Sequence, residues 1–123
     1  MYGLTMLKEY LNEFLEGKKT YDARSYTTDK RGTIALIDSR TLKVYGYADL
    51  VSVREITPQE YASWHCTGKW SSMIFQVDET KKYYAWEFEN IRKEDSPYKV
   101  DGKKKTWMVV NENNKKVEQL RLF

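Results

Sequence analysis

The first part of the chain carries apolar residues at intervals of three and four, the spacing of one helix face. These residues are Leu4, Leu7, Leu11, Phe14 and Leu15. They predict an amphipathic helix over residues 5–16. Gly17 is suited to end this helix, because glycine adopts the left-handed conformation of a helix C-terminus at little steric cost.

After this helix, short runs rich in β-branched and aromatic residues alternate with turn-forming residues, a pattern typical of strands. The predicted strands are 32–38, 43–55, 72–77, 83–91, 106–110 and 117–122, with turns at 29–32, 78–82, 101–102 and 111–114. The stretch ITPQEY at 56–61 predicts a second, short helix. Thr57 is placed to cap it, Pro58 to take its first position and Glu60 to complete a capping box.

Together these elements predict an α+β fold, a small β-barrel of about five or six strands with an N-terminal helix and one short inserted helix. The 123 residues contain no internal repeat or linker, so we expect a single domain over residues 1–123. No apolar run approaches the roughly 18 residues of a membrane span, and no segment has the pattern of a signal peptide. We therefore expect a cytoplasmic protein without membrane contact, and the sequence indicates no oligomeric state.

The lysines are grouped, although the net charge is only +3. They cluster at 18–19, 81–82, 103–105 and 115–116, in a chain with ten tyrosines and four tryptophans. Lysines attract phosphates and aromatic rings stack on bases, so this combination suits RNA. The same composition also fits solvated turns and ordinary strand aromatics, which need no ligand.

Metal and cofactor chemistry finds little support in the sequence. His65 is the one histidine and Cys66 the one cysteine, too few for a conventional zinc site. They are also adjacent, whereas a catalytic cysteine usually meets its histidine through the fold. No glycine-rich phosphate loop follows a strand, and we predict no metal and no cofactor.

The stretch GKKTYDAR at 17–24 is the strongest candidate for a functional site. Lys19 precedes an extended run in which Asp22 and Arg24 share a face, because side chains alternate along a strand. Such a pair orients the guanidinium and leaves its other donors for a ligand. The alternative is a surface salt bridge worth about 0 to 1 kcal/mol.

In the order of its motifs the chain resembles the ASCH family of PUA-like domains, whose signature after the first helix is Gly-x-Lys-x-x-Glu-x-Arg. Here Gly17, Lys19, Asp22 and Arg24 stand in that register. The blocks RGTIALIDSR, KVYGYADLVSV, YYAWEFENIRK and WMVV follow in the family's order. The chain departs from the signature at Asp22, where an aspartate replaces the glutamate and withdraws the carboxylate by about 1.5 Å.

The resemblance implies a PUA-like barrel that binds RNA or a modified nucleoside in a cleft between the first helix and the barrel. Lys19 and Arg24 would contact phosphate or base acceptors, and Asp22 would orient Arg24 or accept from an exocyclic amine. Tyr26 or Trp86 would stack on a base. Trp86 also fits a core position, since it shares a strand face with other aromatic residues.

Ser39 lies at the end of an apolar strand beside the expected cleft, although serines in such turns often only satisfy local backbone. Two other functions stay open. One is a small hydrolase, an acetylcytidine amidohydrolase or ribonuclease, that uses Lys19 and Asp22; the amidase branch has a threonine at the position of Asp22. The other is a protein interaction adaptor, as in transcriptional coactivation, with a protein as its partner.

Overall fold

The computed structural model describes residues 1–65 and 78–111. In chain order its elements are β1 (Tyr2–Met6), α1 (Lys8–Leu15), β2 (Tyr21–Arg24), β3 (Gly32–Asp38), β4 (Lys43–Ile56), α2 (Pro58–His65), β5 (Tyr83–Lys99) and β6 (Trp107–Val109). The predicted strands at 72–77 and 117–122 lie outside the described residues, as do Cys66 and the side chain of His65.

The six strands form one mixed sheet in the order β2-β5-β4-β3-β1-β6. Only β1 and β3 are parallel, and the other four neighbouring pairs are antiparallel. The predicted α+β class, with its strand number and two helices, is confirmed. Within the described residues the sheet is open, because β2 and β6 at its two edges do not pair.

Strong curvature nevertheless brings the two edges of the sheet close together. Trp86 in β5 stacks on Trp107 in β6, with ring centroids 5.7 Å apart. Arg24 at the end of β2 reaches the backbone carbonyl of Thr5 in β1. The sheet therefore folds around a common interior, which is the feature that places the site.

The predicted start of the first helix is wrong, because residues 2–6 form strand β1 and the helix begins at Lys8. Parallel pairing with β3, from Gly3 opposite Ala35 to Met6 opposite Asp38, and antiparallel pairing with β6 supply the backbone hydrogen bonds of this segment. Leu4 fits the helical spacing by coincidence, and it is fully buried from the strand instead.

One of the clusters of buried residues lies between α1 and the inner face of the sheet. Leu11 and Phe14 are the buried side chains of α1. Phe14 meets Phe88 of β5 edge to face, with ring centroids 5.4 Å apart. Gly17 then turns the chain with a φ of +74°, as predicted, and the chain enters β2. This geometry places β2 beside the C-terminal end of α1.

The capping box of α2 is confirmed. The backbone N–H of Glu60 donates to the Thr57 hydroxyl at 3.1 Å, and the Thr57 N–H donates back to the Glu60 carboxylate at 3.3 Å. Tyr61 stacks on Tyr83 at the start of β5, with ring centroids 4.1 Å apart. The helix is thereby held against the strand that pairs with β2. Neither helix in the described part of the chain is long and apolar enough to cross a membrane.

Candidate functional site

A cavity of about 310 Å³ opens where β1, β2, α1 and the end of β3 meet. Its lining combines apolar side chains with hydroxyl and charged groups: Thr5, Met6, Leu7, Tyr10, Asp22, Ala23, Arg24 and Ser39. The volume lies at the lower end of the roughly 300–1,000 Å³ range of small-molecule sites, and a few convergent polar groups among apolar ones are typical of them. Three of the predicted site residues, Asp22, Arg24 and Ser39, meet in it.

Asp22 and Arg24 form the predicted pair on β2. The Arg24 Nε donates to Asp22 Oδ2 at 2.7 Å. The two side chains are 21% and 15% exposed, so this is not the solvent-exposed salt bridge considered as the alternative. A charge-assisted bond this short and this shielded fixes both groups in the cavity wall.

The other two nitrogens of the Arg24 guanidinium are also held by the protein. Nη1 donates to the Tyr26 hydroxyl, and Nη2 donates to the Thr5 carbonyl at 3.4 Å. The guanidinium carbon lies 5.1 Å from the Trp86 ring centroid, within cation–π range. Burial disfavours the cation, but the Asp22 carboxylate and Tyr26 outweigh burial, so the pKa of Arg24 is raised.

These bonds occupy three of the five guanidinium N–H groups. One N–H on Nη1 and one on Nη2 have no partner among the described residues. Both belong to a side chain that lines the cavity. Arg24 is therefore pre-oriented, with donors left for a further acceptor.

Ser39 contributes a hydroxyl to the cavity. Its backbone N–H donates to the Met6 carbonyl at 2.9 Å, which extends the pairing of β1 and β3 by one residue. Asp38 fixes the turn by accepting from the Arg40 N–H at 3.2 Å and the Thr41 hydroxyl at 2.7 Å. Ser39 is only 8% exposed, and its hydroxyl bonds to no described residue. An unsatisfied buried hydroxyl costs about 1–3 kcal/mol, which a polar guest would offset.

Tyr10 of α1 is a cavity residue that the sequence analysis missed. Burial raises the pKa of its phenol, and Asp22 adds to the rise while Lys19 opposes it. The phenol therefore remains a neutral donor and acceptor across the physiological range. Its position in the sequence could have indicated this, because it lies three residues after Leu7 and four before Phe14, at the margin of the apolar stripe of the helix.

Lys19 takes a different position from Asp22 and Arg24. Its ammonium lies 3.1 Å from Glu13 Oε2 and 5.5 Å from the centroid of the Tyr10 ring. Lys19 is absent from the described residues that line the cavity. Lys19 therefore lies beside the ring of Tyr10 and pairs with Glu13 of the preceding helix α1.

The two aromatic residues predicted to stack lie apart from the cavity lining. Trp86 is fully buried, and its indole N–H donates to the Tyr26 carbonyl at 3.1 Å. Trp86 therefore occupies the core position and not a base-stacking position. Tyr26 is 38% exposed and meets Trp86 edge to face at 5.4 Å. Both rings contact the Arg24 guanidinium.

Comparison with known structures identifies the fold. Crystal structures of an ASCH protein from Zymomonas mobilis, including a serine-to-alanine and a tyrosine-to-phenylalanine variant, each superpose with a TM-score of 0.65 at 13% sequence identity. They cover 98% of this chain, which in turn covers 94% to 96% of theirs. The chain has the fold of an ASCH domain. No protein-family model matches the sequence, and no curated protein matches it either.

Within this ASCH fold, Lys19 and Arg24 of the signature each pair with an acid. Asp22 neutralises Arg24, and Glu13 neutralises Lys19. The cavity therefore offers one carboxylate, two guanidinium N–H groups, a serine hydroxyl and a phenol, without excess positive charge. Such a set favours a polar guest that carries both donors and acceptors over a bare anion. No group of three or more His, Cys, Asp or Glu side chains within residues 1–65 and 78–111 is arranged to hold a metal ion.

Proposed function

We propose that this protein binds RNA, or a modified nucleoside, by taking a nucleobase into the cavity formed by Asp22, Arg24, Ser39 and Tyr10. The observation that carries the proposal is the Ser39 hydroxyl, which has no partner among the described residues and is buried beside a pre-oriented guanidinium in a cavity of about 310 Å³. A nucleobase edge carries amino donors next to ring-nitrogen and carbonyl acceptors. It therefore complements a wall that contains both a carboxylate and a guanidinium.

In this proposal each polar residue has one role. Arg24 donates its remaining N–H groups to base acceptors, and Asp22 accepts from an exocyclic amine while holding Arg24 in place. Ser39 adds a third hydrogen bond from the opposite wall. Lys19 stays at the side of Tyr10, within reach of a sugar or phosphate outside the cavity.

A hydrolase that uses Lys19 and Asp22 receives no comparable support. A catalytic lysine acts as a neutral amine close to the reacting atoms. Here the Lys19 ammonium is paired with Glu13, and Lys19 is absent from the described lining of the cavity. We therefore propose a binding function, with turnover as an outcome that would overturn it.

The test is calorimetric titration with the four ribonucleosides, acetylated cytidine and a short RNA. We expect binding by the wild-type protein, and a loss of about fivefold to tenfold in Ser39→Ala, the value of one neutral hydrogen bond. Ser52→Ala is the matched control. The Ser52 hydroxyl donates to the Glu87 carboxylate at 3.2 Å, and neither residue lines the cavity.

Three results would contradict the proposal. The first is that no nucleoside and no RNA binds. The second is consumption of acetylated cytidine or RNA by the wild-type protein but not by Lys19→Ala, which would make the protein an enzyme. Binding that survives in Ser39→Ala at wild-type strength would move the ligand out of this cavity.

A further inference from the structure

A second concave surface lies beside the cavity, on the far side of Tyr26. This groove, of about 630 Å³, is lined by Tyr26, Thr27, Thr28, Asp29, Lys30, Thr106 and Trp107. It runs between the segment that follows β2 and the start of β6. None of these residues lies in the stretch 17–24, and only Tyr26 was among the predicted site residues.

An exposed tyrosine, a partly buried tryptophan and a lysine stand together beside this groove. Tyr2 is 51% exposed and meets Trp107 edge to face, with ring centroids 6.2 Å apart. The Lys30 ammonium lies 4.8 Å from the Tyr2 ring and 4.9 Å from the Trp107 ring. In proteins that bind single-stranded nucleic acids, bases stack on aromatic rings and nearby cations neutralise the phosphates.

The charge around the groove is mainly positive. Asp29 is the single acid among the lining residues just named. The guanidinium of Arg31 donates to the carbonyls of Thr28 and Lys30 at 3.0 and 2.7 Å, so it lies along the same segment. Lys103, Lys104 and Lys105 are exposed and immediately precede Thr106. A polyanion is the complementary partner.

The contact between Arg24 and Tyr26 joins the cavity to the groove, although no described residue lines both. The phenol of Tyr26 accepts from Arg24 on the cavity side, while Tyr26 itself lines the groove. Behind both, Trp86 packs against Arg24 and stacks on Trp107. A chain that leaves the cavity past Tyr26 therefore enters the groove directly.

We infer that the groove is a second subsite, which holds the nucleotides next to the one in the cavity, so that the ligand is a single-stranded polynucleotide and not a free nucleoside. This inference rests on the proposed function for its first nucleotide. A base stacks on the exposed ring of Tyr2, beside Trp107, and the Lys30 ammonium moves from the ring faces to the adjoining phosphate. No side chain of the groove reads a base edge, so its contribution is independent of sequence.

The experiment compares a single-stranded RNA of about eight nucleotides, the DNA of the same sequence and the ribonucleosides by titration at several salt concentrations. We expect Tyr2→Leu to weaken RNA binding about tenfold and to leave nucleoside binding unchanged, whereas Tyr2→Phe keeps wild-type affinity because the ring remains. Lys30→Ala should flatten the slope of log K against log salt by about 0.7, the value of one phosphate contact on a single strand.

Lys8→Ala is the matched control for charge. Lys8 also lies over a tyrosine ring, 3.9 Å from the Tyr45 centroid, and it lines neither the cavity nor the groove. Its removal should leave the salt slope unchanged. Equal weakening of RNA binding by Lys8→Ala and Lys30→Ala would overturn the inference, because the effect would then not depend on the position of the lysine.

The outcomes separate this inference from the proposed function. If neither nucleosides nor RNA bind, the proposed function itself fails. If nucleosides bind but RNA binds no more tightly, or if Tyr2→Leu and Lys30→Ala bind RNA like the wild type, the groove is not a subsite while the cavity proposal stands. Equal weakening of RNA and DNA binding supports the inference, because stacking and phosphate contacts do not require the 2′-hydroxyl.

Discussion

Asp22 and Arg24 stand two residues apart on β2, and the guanidinium of Arg24 is held at once by a carboxylate, a phenol and a backbone carbonyl of another strand. The contact with the Thr5 carbonyl links β2, at one edge of the sheet, to β1 near the other. The pair therefore supports the curvature of the sheet as well as the wall of the cavity. Under the proposed function, binding and stability are therefore coupled at these residues.

Removal of the Asp22 charge should accordingly destabilise the fold. We expect Asp22→Asn to lower the free energy of unfolding by about 2–3 kcal/mol, because Arg24 would remain largely buried without its partner. Urea denaturation measures this loss. Asp22→Glu is the matched control, since it keeps the charge and restores the residue of the ASCH signature, and it should cost less. Equal losses in the two variants would show that charge compensation is not the cause.

Ser39→Ala should separate binding from stability. The Ser39 hydroxyl has no partner in the described structure, so its removal should leave the free energy of unfolding unchanged or raise it by up to about 1 kcal/mol. Ser52→Ala should instead lower it by about 1 kcal/mol, because it removes the bond to Glu87. Thermal denaturation of both variants tests the contrast. A clear loss of stability in Ser39→Ala would mean that the hydroxyl has a structural partner.

Local sequence patterns correctly predicted the features that depend on neighbouring residues. The capping box of Thr57 and Glu60, the left-handed turn at Gly17 and the pairing of Asp22 with Arg24 each involve residues at most three positions apart, or one backbone conformation. Strands β3 and β4 follow the same rule, since their composition and bounding turns mark them directly.

Features that depend on distant parts of the chain escaped prediction. Strand β1 exists because β3 pairs with it, and the periodicity around Leu4 fits a helix equally well. Lys19 is near Asp22 in sequence, but the direction in which the chain leaves α1 turns its ammonium to Glu13. Tyr10 enters the site only because β2 folds back beside α1, and no local spacing encodes that return.

Gly46 should be intolerant of any side chain. A Cβ at this position would lie 2.5 Å from the Arg92 carbonyl oxygen and 2.6 Å from Leu15 Cδ2, so both the β4–β5 ladder and the docking of α1 would have to shift. We expect Gly46→Ala to lower the free energy of unfolding by about 3 kcal/mol.

Gly17→Ala provides the comparison for Gly46→Ala. A Cβ there meets nothing within 4 Å, and only the positive φ of +74° is unfavourable, at about 1–2 kcal/mol. Urea denaturation of the two variants distinguishes steric overlap from backbone strain. A larger loss for Gly17→Ala than for Gly46→Ala would contradict the packing described here.

Tyr47 should make the protein sensitive to alkaline pH. Its hydroxyl donates to Glu94 Oε2 at 2.7 Å and lies 2.8 Å from the Tyr98 hydroxyl. Burial, followed by these hydrogen bonds, raises the pKa of Tyr47 well above its ordinary value. The unfolded chain therefore loses this proton first, near pH 10, while the folded protein still holds it. Stability that is complete below about pH 10 declines as the pH rises toward the folded-state pKa.

Tyr47→Phe removes this group from the titration. Between pH 10 and 11 the free energy of unfolding should fall by about 1 kcal/mol less in the variant than in the wild type, because the unfolded-state tyrosine goes from about half to about nine-tenths deprotonated over this interval. At neutral pH the variant should be about 1 kcal/mol less stable, because the hydrogen bonds of the hydroxyl are lost. Urea titrations from pH 8 to 11 measure both effects, and Tyr2→Phe at an exposed position serves as the control. Parallel curves for the wild type and Tyr47→Phe would show that folding does not raise the pKa of Tyr47.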